Sequence, residues 1–430
     1  MTFIEDINRV PLIYDVDVLV CGAGPAGIGA ALRAARCGVS VMIVEAQGCL
    51  GGIATAGMMS NWGGRSSSKI LKEIYDITYE KAKDIGWKKE NGCGLDAIYH
   101  DIQKIALEEM LEREGVKILY YTLVCKAVVE NDTVMGVIVE NKSGRGYIKA
   151  KRVVDATGDG DVAASAGVPY IKGRESDGRM QPATLMFNIG GVNFERAVFP
   201  PSFESKVETE KGELQALAKK LLPFPAGHVL LYKQPMDGTV CCNMTNAIEV
   251  DGTDAESLTK ATITCRSQII PIIRFLREYA PGYENCWLMS SASLIGVRET
   301  RHFEGVESLS KDDILEAKLY DNWVVRRAWF NFDVHNLTGA SLDKTGIQKE
   351  WKQKNDYSIP YGCLLPKNIE NLLLSGRNIS GSHLAHSNFR IMSVCLALGE
   401  AAGTAAALSV IQNKKLRHVD VKEIQQIVGE

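Results

Sequence analysis

The 430-residue sequence has no marked excess of charge and no long apolar run. Its 49 basic and 52 acidic residues nearly cancel, and a formal net charge of -3 gives no sign of a nucleic-acid partner. The longest apolar stretches, Leu372–Leu374 and residues 401–410, are short or interrupted by Gly and Thr, so no membrane span is expected. The N-terminus shows no basic segment followed by an apolar leader. We therefore expect a soluble, cytoplasmic protein.

Patterns typical of disulfide, zinc and hydrolase sites are also missing. The 11 cysteines are scattered through predicted strands and helices, as small buried hydrophobic residues are, and no C-x-x-C pair occurs. No G-x-S-x-G nucleophile elbow is present. His383 and His386 have a spacing that suggests a metal pair, but no third ligand of suitable spacing is nearby. We therefore predict no metal site.

The segment from Asp17 to Glu45 contains, in order, every part of a dinucleotide-binding β–α–β unit. An apolar strand leads into a G-x-G-x-x-G turn, a helix and a second strand ending on Glu45. Glycines let the backbone approach a pyrophosphate, and a helix N-terminus offers free N–H groups to it. Glu45 has the expected separation to accept from ribose hydroxyls, and its charge would repel the 2′-phosphate of NADP. The predicted phosphate-binding residues are Gly22, Gly24, Pro25, Ala26 and Gly27, with a ligand-free glycine turn as the alternative.

The order of predicted elements indicates an α/β fold with an α+β insertion. Its main part is a Rossmann-like parallel sheet, to which the segment VKILYYT adds a third parallel strand through a helical crossover. An antiparallel β-meander follows, and YIKA and RVVD are taken as separate strands. Helices are predicted over Ser68–Lys83, Asp96–Glu114, Glu204–Leu222 and Asp254–Tyr279, and a long one over the Ala-rich segment near the C-terminus.

The sequence predicts that the chain divides into three segments. Residues 1–182 form the N-terminal part of the nucleotide domain, with a helical insertion at about 57–115. Residues 183–356 have no second glycine fingerprint and form a mixed substrate domain. Residues 357–430 return to the nucleotide domain.

These segments together resemble the glutathione-reductase-type flavoproteins with two dinucleotide folds, and within them the FAD-dependent oxidoreductase family. The matching segments cover most of the chain: GAGPAGIGAA with Glu45, CLGG, DATGDGDVAASAGVPY, GVRETRHFEG, PYGCLLPKNIENLLLSGRNISGSHLAHS and LALGEAAGTAAAL. The resemblance implies FAD as the cofactor and a parallel FAD sheet carrying a meander, interrupted by a substrate domain. It implies little about the substrate, because the family is grouped by its cofactor site.

The resemblance also implies further FAD-binding residues. Gly51 and Gly52 correspond to a glycine pair beside the pyrophosphate, with a plain loop as the alternative. The helix N-terminus near Ile391 would stabilise reduced flavin through its free N–H groups and dipole. Asp155 and Asp159 end a strand where ligands bind, or else they cap the following turn. The remaining expected contacts are Ala46, Thr157, Gly158, Asp159, Gly376, Arg377, Asn378 and Met392.

The candidate catalytic residues are arginines and histidines late in the predicted substrate domain, together with one histidine before the last long helix. Arginine binds carboxylates bidentately, and histidine transfers protons. The alternative is that the two arginines pair with nearby glutamates in an interdomain salt-bridge network. The candidates are Arg298, Arg301, His302, His335 and His383.

These features predict an FAD-dependent oxidoreductase that transfers a hydride between flavin N5 and a small anionic organic substrate. The expected partner is a small molecule, with no nucleic acid and no membrane, and the sequence predicts no particular oligomeric state. Two alternatives stay open: a flavoprotein that modifies a macromolecule such as tRNA, and a non-catalytic nucleotide-binding module.

Overall fold

The computed structural model describes residues 10–87, 97–342 and 353–429. The predicted helix start at Asp96 and residues 343–352 of the predicted substrate domain lie outside the described residues. The elements of the first part are β1 (Leu12–Cys21), α1 (Pro25–Arg36), β2 (Val41–Val44), α2 (Ile70–Asp84), α3 (His100–Arg113), β3 (Lys117–Leu119), β4 (Leu123–Glu130), β5 (Thr133–Asn141) and β6 (Gly144–Asp155).

The middle of the chain mixes short strands and helices. They are α4 (Asp161–Ser165), β7 (Tyr170–Lys172), β8 (Phe187–Gly190), β9 (Glu208–Thr209), β10 (Gly212–Glu213), α5 (Leu214–Leu221), β11 (Leu231–Lys233), β12 (Val240–Cys242), α6 (Ala255–Tyr279), β13 (Trp287–Ser291), β14 (Arg301–Phe303), α7 (Lys311–Leu315) and β15 (Trp323–Ala328). The last part contains β16 (Tyr357–Pro360), β17 (Leu372–Leu374), α8 (His383–Phe389), α9 (Met392–Ile411) and α10 (Val421–Gly429).

The main sheet is the expected Rossmann-like parallel sheet with a meander. Its order is β3-β2-β1-β6-β5-β4, and β17 pairs with β6. Strands β1, β2, β3 and β17 run parallel to their neighbours, whereas β4 and β5 run antiparallel. The predicted third parallel strand is confirmed, since β3 pairs with β2. Residues 144–149 of β6 pair with β5, and residues 153–155 pair with β17. The prediction of two separate strands there is wrong, because one long strand serves both the meander and the parallel sheet.

A second, antiparallel sheet has the order β11-β12-β8-β13. It shares a separate hydrophobic core with the buried face of α6, which contributes Cys265, Ile269 and Leu276. The predicted helix over Asp254–Tyr279 is confirmed by α6. The predicted helix over Glu204–Leu222 is wrong in its first half, which forms the small β9–β10 hairpin before α5. The domain boundaries at residues 183 and 356 stay predictions.

Helix α9 packs against α1 at very short range. A Cβ on Gly399 or Gly403 of α9 would collide with the Ala26 or Ala30 carbonyl oxygen of α1, and one on Gly29 would collide with the Leu396 carbonyl oxygen. Helix α9 is long and apolar enough to span a membrane, but 83% of that stretch is buried inside the protein. The small residues of α9 therefore hold the C-terminal segment against the glycine-turn helix.

Candidate functional site

The glycine turn between β1 and α1 leaves room for a phosphate group. Gly22 adopts φ +92°, and a Cβ there would lie 2.5 Å from the Ala156 carbonyl oxygen. Apart from chain neighbours, no described atom lies within 4 Å of the Cβ that a side chain at Gly24 would add. No side chain caps α1, which begins with Pro25 and the first-turn N–H groups of Ala26 and Gly27. The turn is thus shaped for an anion, and it fits the pyrophosphate of FAD.

Glu45 is held in place beside this turn by the backbone. Its carboxylate accepts hydrogen bonds from the Ala23 N–H at 2.7 Å and the Gln47 N–H at 2.8 Å. Each carboxylate oxygen keeps a further lone pair that could accept from a ribose hydroxyl. Ala46 follows directly, between Glu45 and Gln47.

The Gly51–Gly52 loop packs against the same turn from the other side. The Gly51 N–H donates to the Ala23 carbonyl at 2.8 Å, and a Cβ on Gly52 would lie 2.9 Å from the Gly24 Cα. Both glycines have positive φ. A loop this close to the phosphate turn agrees with the expected contact along FAD, which stays a prediction.

The residues after β6 divide into a structural turn and a charged pair. The buried Asp155 carboxylate accepts from the hydroxyl of Thr157 at 2.7 Å and from the Ala163 N–H at 2.8 Å, so it caps the turn as the alternative proposed. Burial raises the pKa of Asp155 to about 6. Asp159 instead forms an ion pair with Arg377 at 2.7 Å and accepts from the Thr300 hydroxyl at 2.6 Å. This pair joins the turn after β6 to the loop after β17.

Gly158 and the loop residues after β17 adjoin that pair. A Cβ on Gly158 would lie 3.1 Å from an Arg377 guanidinium nitrogen, and one on Gly376 would lie 3.0 Å from the Ala26 Cβ. The Asn378 amide donates to the Asp155 carbonyl at 2.9 Å, while its own buried oxygen has no partner among the described residues. The chain thus brings Gly376 next to the phosphate turn.

Among the described residues, no side chain caps the N-terminus of α9. Ile391 is the N-cap residue and makes no side-chain capping bond, and Met392 begins the helix. The fully buried Ser393 hydroxyl has no hydrogen-bond partner among the described residues. Gly64 passes close by, since a Cβ there would lie 3.0 Å from an Ile391 side-chain carbon. The positive end of the α9 dipole is therefore available to an anionic group.

A partly buried charged cluster, here called the Asp333 cluster, includes Arg390, the residue directly before that N-cap. Arg390 Nη2 donates to the Asp333 carboxylate at 2.7 Å, and His335 Nε2 lies 3.3 Å from the same carboxylate oxygen. Arg298 is near enough to Arg390 and Asp333 to interact with their charges. Among the described residues it makes no carboxylate ion pair, and its Nη1 donates to the Pro182 carbonyl at 2.5 Å. The cluster comprises Arg298, Arg390, Asp333, His335, His228 and Tyr232.

Burial and mutual charge set the protonation states of the cluster. Burial and the adjacent Arg390 lower the pKa of Arg298 to about 10, so it stays charged at pH 7. Burial and Arg298 lower the pKa of His335 to about 4, and the imidazole is neutral. Although burial favours the neutral acid, the hydrogen bond from His335 and the guanidinium charges of Arg390 and Arg298 hold the pKa of Asp333 far below its ordinary value. Two cations thus face one carboxylate, leaving one positive charge in excess.

Several buried polar atoms around this cluster have no hydrogen-bond partner among the described residues. They are Nε of Arg390, Nδ1 of His228, the amide oxygen of Asn243 and the amide nitrogen of Gln181. Buried polar groups are rarely left unpaired, so these atoms are available to ordered water or to a polar ligand.

The other predicted catalytic residues lie elsewhere. Arg301 pairs with Asp161 at 2.8 Å, donates to the Asp159 carbonyl and packs over Tyr170. Arg298 and Arg301 thus have different neighbours although they stand in one motif, and their catalytic roles stay predictions. Arg301 pairs with an aspartate rather than with the glutamates that the salt-bridge alternative named.

His302 and His383 belong to a second buried group, here called the Glu299 cluster and made up of Glu299, His302, His383 and His386. Glu299 Oε1 lies 2.8 Å from His302 Nε2 and 2.5 Å from His383 Nδ1. Although burial favours the neutral acid, these imidazole contacts hold the pKa of Glu299 well below its ordinary value. Glu299 and His302 come from a distant segment and lie close to His386, so spacing along the sequence could not reveal this group.

Arg390, His228 and Tyr232 were missed by sequence reasoning. Arg390 had a usable signal, since it directly precedes the predicted N-terminus of α9. His228 and Tyr232 had none, because they lie in and near the short strand β11, and only the packing of that segment brings them near Arg298. Gln181 connects the two clusters: its N–H donates to Glu299 and its side-chain oxygen accepts from the His335 N–H, both at 3.1 Å.

The fold and the glycine-turn site define a flavin-dependent oxidoreductase. Residues 17–428 match the family described as FAD dependent oxidoreductase. The chain belongs to this family, and FAD is its cofactor.

Curated relatives are similar over part of their length. A thiamine thiazole synthase of Aeropyrum pernix is 33% identical over 155 residues, covering 33% of this chain and 54% of the relative. A tRNA uridine 5-carboxymethylaminomethyl modification enzyme MnmG of Clostridium botulinum is 28% identical over 400 residues, covering 86% of this chain and 58% of the relative. The chain thus spans little more than half of these relatives. A solved geranylgeranyl bacteriochlorophyll reductase-like protein of Thermoplasma acidophilum matches 96% of this chain and 82% of its own at 13% identity, with a TM-score of 0.47.

Proposed function

We propose that this FAD-dependent oxidoreductase acts on a small organic anion bound at the Asp333 cluster. The observation that carries the proposal is the excess positive charge of this partly buried cluster, two guanidinium groups against the one carboxylate of Asp333. Buried charge is costly unless it is paired, and a substrate carboxylate would compensate it. Guanidinium groups suit this task because their planar N–H donors match a carboxylate in two parallel hydrogen bonds.

The cluster also holds a proton-transfer group. His335 is neutral at pH 7 and can accept a proton from a substrate C–H, N–H or O–H group as electrons leave. In the reverse direction the protonated imidazole would donate that proton to the substrate. When bound, FAD supplies the two-electron acceptor or donor. Partial burial of the cluster limits the amount of water around the charges that develop during the reaction.

Anaerobic flavin reduction by a panel of small carboxylates and their neutral amides tests this proposal. Carboxylates should bleach the flavin and the amides should not. Arg298→Lys should mainly raise KM, because a point charge replaces a planar fork, and His335→Gln should mainly slow flavin reduction. Arg301→Lys is the matched control and should behave as the parent. Equal reaction of the amides, or an equal effect of Arg301→Lys, would contradict the proposal.

Similarity to MnmG over 400 residues favours a second candidate, modification of a tRNA base. The net charge of -3 speaks mildly against a nucleic-acid substrate, since such proteins usually present a basic face. Salt-dependent retention of tRNA by the FAD-loaded protein would support the second candidate, whereas elution of tRNA at low salt would support the small-anion proposal.

A further inference from the structure

We propose that the Glu299 cluster binds one Zn²⁺ ion, with Glu299, His302 and His386 as ligands and His383 holding the carboxylate. The proposal is independent of the substrate proposed above, because it concerns different side chains and needs no turnover for its test. It rests on ligand geometry, on unpaired imidazole nitrogens and on an access route.

The three ligand atoms are already close to coordination spacing. One donor atom from each of Glu299, His302 and His386 lies within 4.8 Å of the other two, and all three residues are buried. Two ligands of a tetrahedral zinc ion with bond lengths of about 2.1 Å lie roughly 3.4 Å apart. The 2.8 Å between Glu299 Oε1 and His302 Nε2 needs only a small adjustment to admit the ion.

His386 has ring nitrogens that no described residue uses. Its Nδ1 is buried without a hydrogen-bond partner among the described residues, and the residue is only 1% exposed. Among the described residues, neither ring nitrogen of His386 takes part in any hydrogen bond, and its ring packs edge-on against His302 at 4.8 Å. A buried imidazole without polar partners is costly, and a metal bond would remove that cost.

His383 supplies the outer contact that metal-binding carboxylates usually have. Its Nδ1 lies 2.5 Å from Glu299 Oε1, so it can orient the carboxylate toward the ion. Gln181 fixes the other carboxylate oxygen through its N–H at 3.1 Å. Two histidines and one carboxylate, with a fourth position left for water, form a known zinc ligand set.

An open cleft leads to this group. It has a volume of about 340 Å³ and is lined by His302, the exposed Glu175 and Ser380–Ser382, among others. The Glu175 carboxylate also accepts from the His383 N–H at 2.8 Å. An ion can therefore reach His302 from solvent past a negatively charged side chain.

Zn²⁺ binding by untagged, FAD-loaded protein tests the proposal. After treatment with a chelator and desalting, the protein is titrated with Zn²⁺ against a chromophoric chelator, and bound zinc is counted by mass spectrometry. One Zn²⁺ per chain is expected. Glu299→Gln and His386→Gln should each lower the affinity at least 100-fold, and His383→Gln about 10–100-fold. His418→Gln, at an exposed histidine, is the matched control and should bind as the parent.

Unchanged affinity in Glu299→Gln and His386→Gln, or loss of zinc only in His418→Gln, would overturn the proposal. Because a variant of a buried group can fail to fold, the unmodified protein provides the second measurement. Crystals soaked in Zn²⁺ should show an anomalous peak at the zinc edge between Glu299, His302 and His386. Zinc-soaked crystals without a peak there would also overturn it.

Discussion

At the scale of single residues, a substitution at Gly24 should affect cofactor binding without affecting folding. Its φ of -70° is accessible to any residue. Apart from chain neighbours, no described atom lies within 4 Å of the position that a Cβ would take. Gly24→Val should therefore leave the apoprotein about as stable as the parent. It should weaken FAD binding on the order of 100-fold or more, since hydrogen bonds to charged groups are each worth about 1.5–3 kcal/mol.

Thermal melting of the apoprotein and fluorescence titration with FAD measure the two effects of Gly24→Val separately. Gly22→Val is the contrasting variant: φ +92° and the adjacent Ala156 carbonyl should make it unstable even without FAD. A Gly24→Val protein that binds FAD as tightly as the parent would show that the pyrophosphate does not pass this residue.

The site residues that could be predicted from the sequence are those whose partners lie nearby along the chain. The turn glycines and Glu45 sit in one continuous segment, and the structure places them together. Arg301 was grouped with Arg298 because both stand in one motif, but the side chains have different neighbours. The partners of Arg298 come from elsewhere in the chain, and no local pattern identifies them.

At the scale of elements, the contact between α1 and α9 depends on glycines, because a Cβ at these positions would collide with the backbone of the other helix. Gly403→Ala should destabilise the protein by about 1–3 kcal/mol, because the added methyl collides with the rigid Ala30 carbonyl oxygen. The measurement is the free energy of unfolding in urea. Gly429→Ala in α10 is the matched control, since its Cβ would meet only the edge of Trp323 at 3.6 Å, and it should be neutral or slightly stabilising. Equal effects of the two variants would contradict the close packing.

The N-terminus of α9 should set the flavin potential. Ser393→Asp places a negative charge in its first turn and should lower the two-electron potential by tens of millivolts, since about 30 mV corresponds to about 1.4 kcal/mol. Ser393→Asn is the uncharged control and should change it little. Redox titration is the measurement, and an unchanged or higher potential in Ser393→Asp would show that this helix end does not face the flavin.

Elements with a strong period or a complete motif were predictable, as α6 and the β1–α1–β2 unit show. The structure of residues 204–213 was not predictable, because the tight β9–β10 hairpin forms despite the helical pattern of the neighbouring residues. Strand β6 was split in two because its Gly-rich start and apolar end resemble different strands. Only the pairing with both β5 and β17 shows that it is continuous.

At the scale of the whole molecule, the buried histidines make stability depend on pH. Burial lowers the pKa of His100 and His335 to about 4 and that of His228 to about 3. Below the ordinary value of about 6.5, the unfolded chain takes up protons that the native protein does not bind. The free energy of unfolding should thus fall as the pH falls from 7 to 5, by up to about 1.4 kcal/mol per pH unit for each histidine.

Buried carboxyl groups with a raised pKa, Asp155 among them, oppose this loss and reduce its size. Urea unfolding at several pH values is the measurement. His228→Gln should show a shallower pH dependence than the parent, and His418→Gln should match it. Identical slopes for the parent and His228→Gln would show that His228 is not held neutral by burial.

The arrangement of whole segments explains why the site could be predicted only in part. The FAD turn uses neighbouring residues, whereas the Asp333 cluster combines the insertion, the segment around Arg298 and the residue before α9.

A crystal structure of the FAD-loaded protein tests this account most directly. It should place the isoalloxazine ring against the backbone of Ile391 and Met392, with Arg298, Arg390 and His335 facing the ring. A ring bound away from the start of α9, with these side chains on the far side of the protein core, would contradict it.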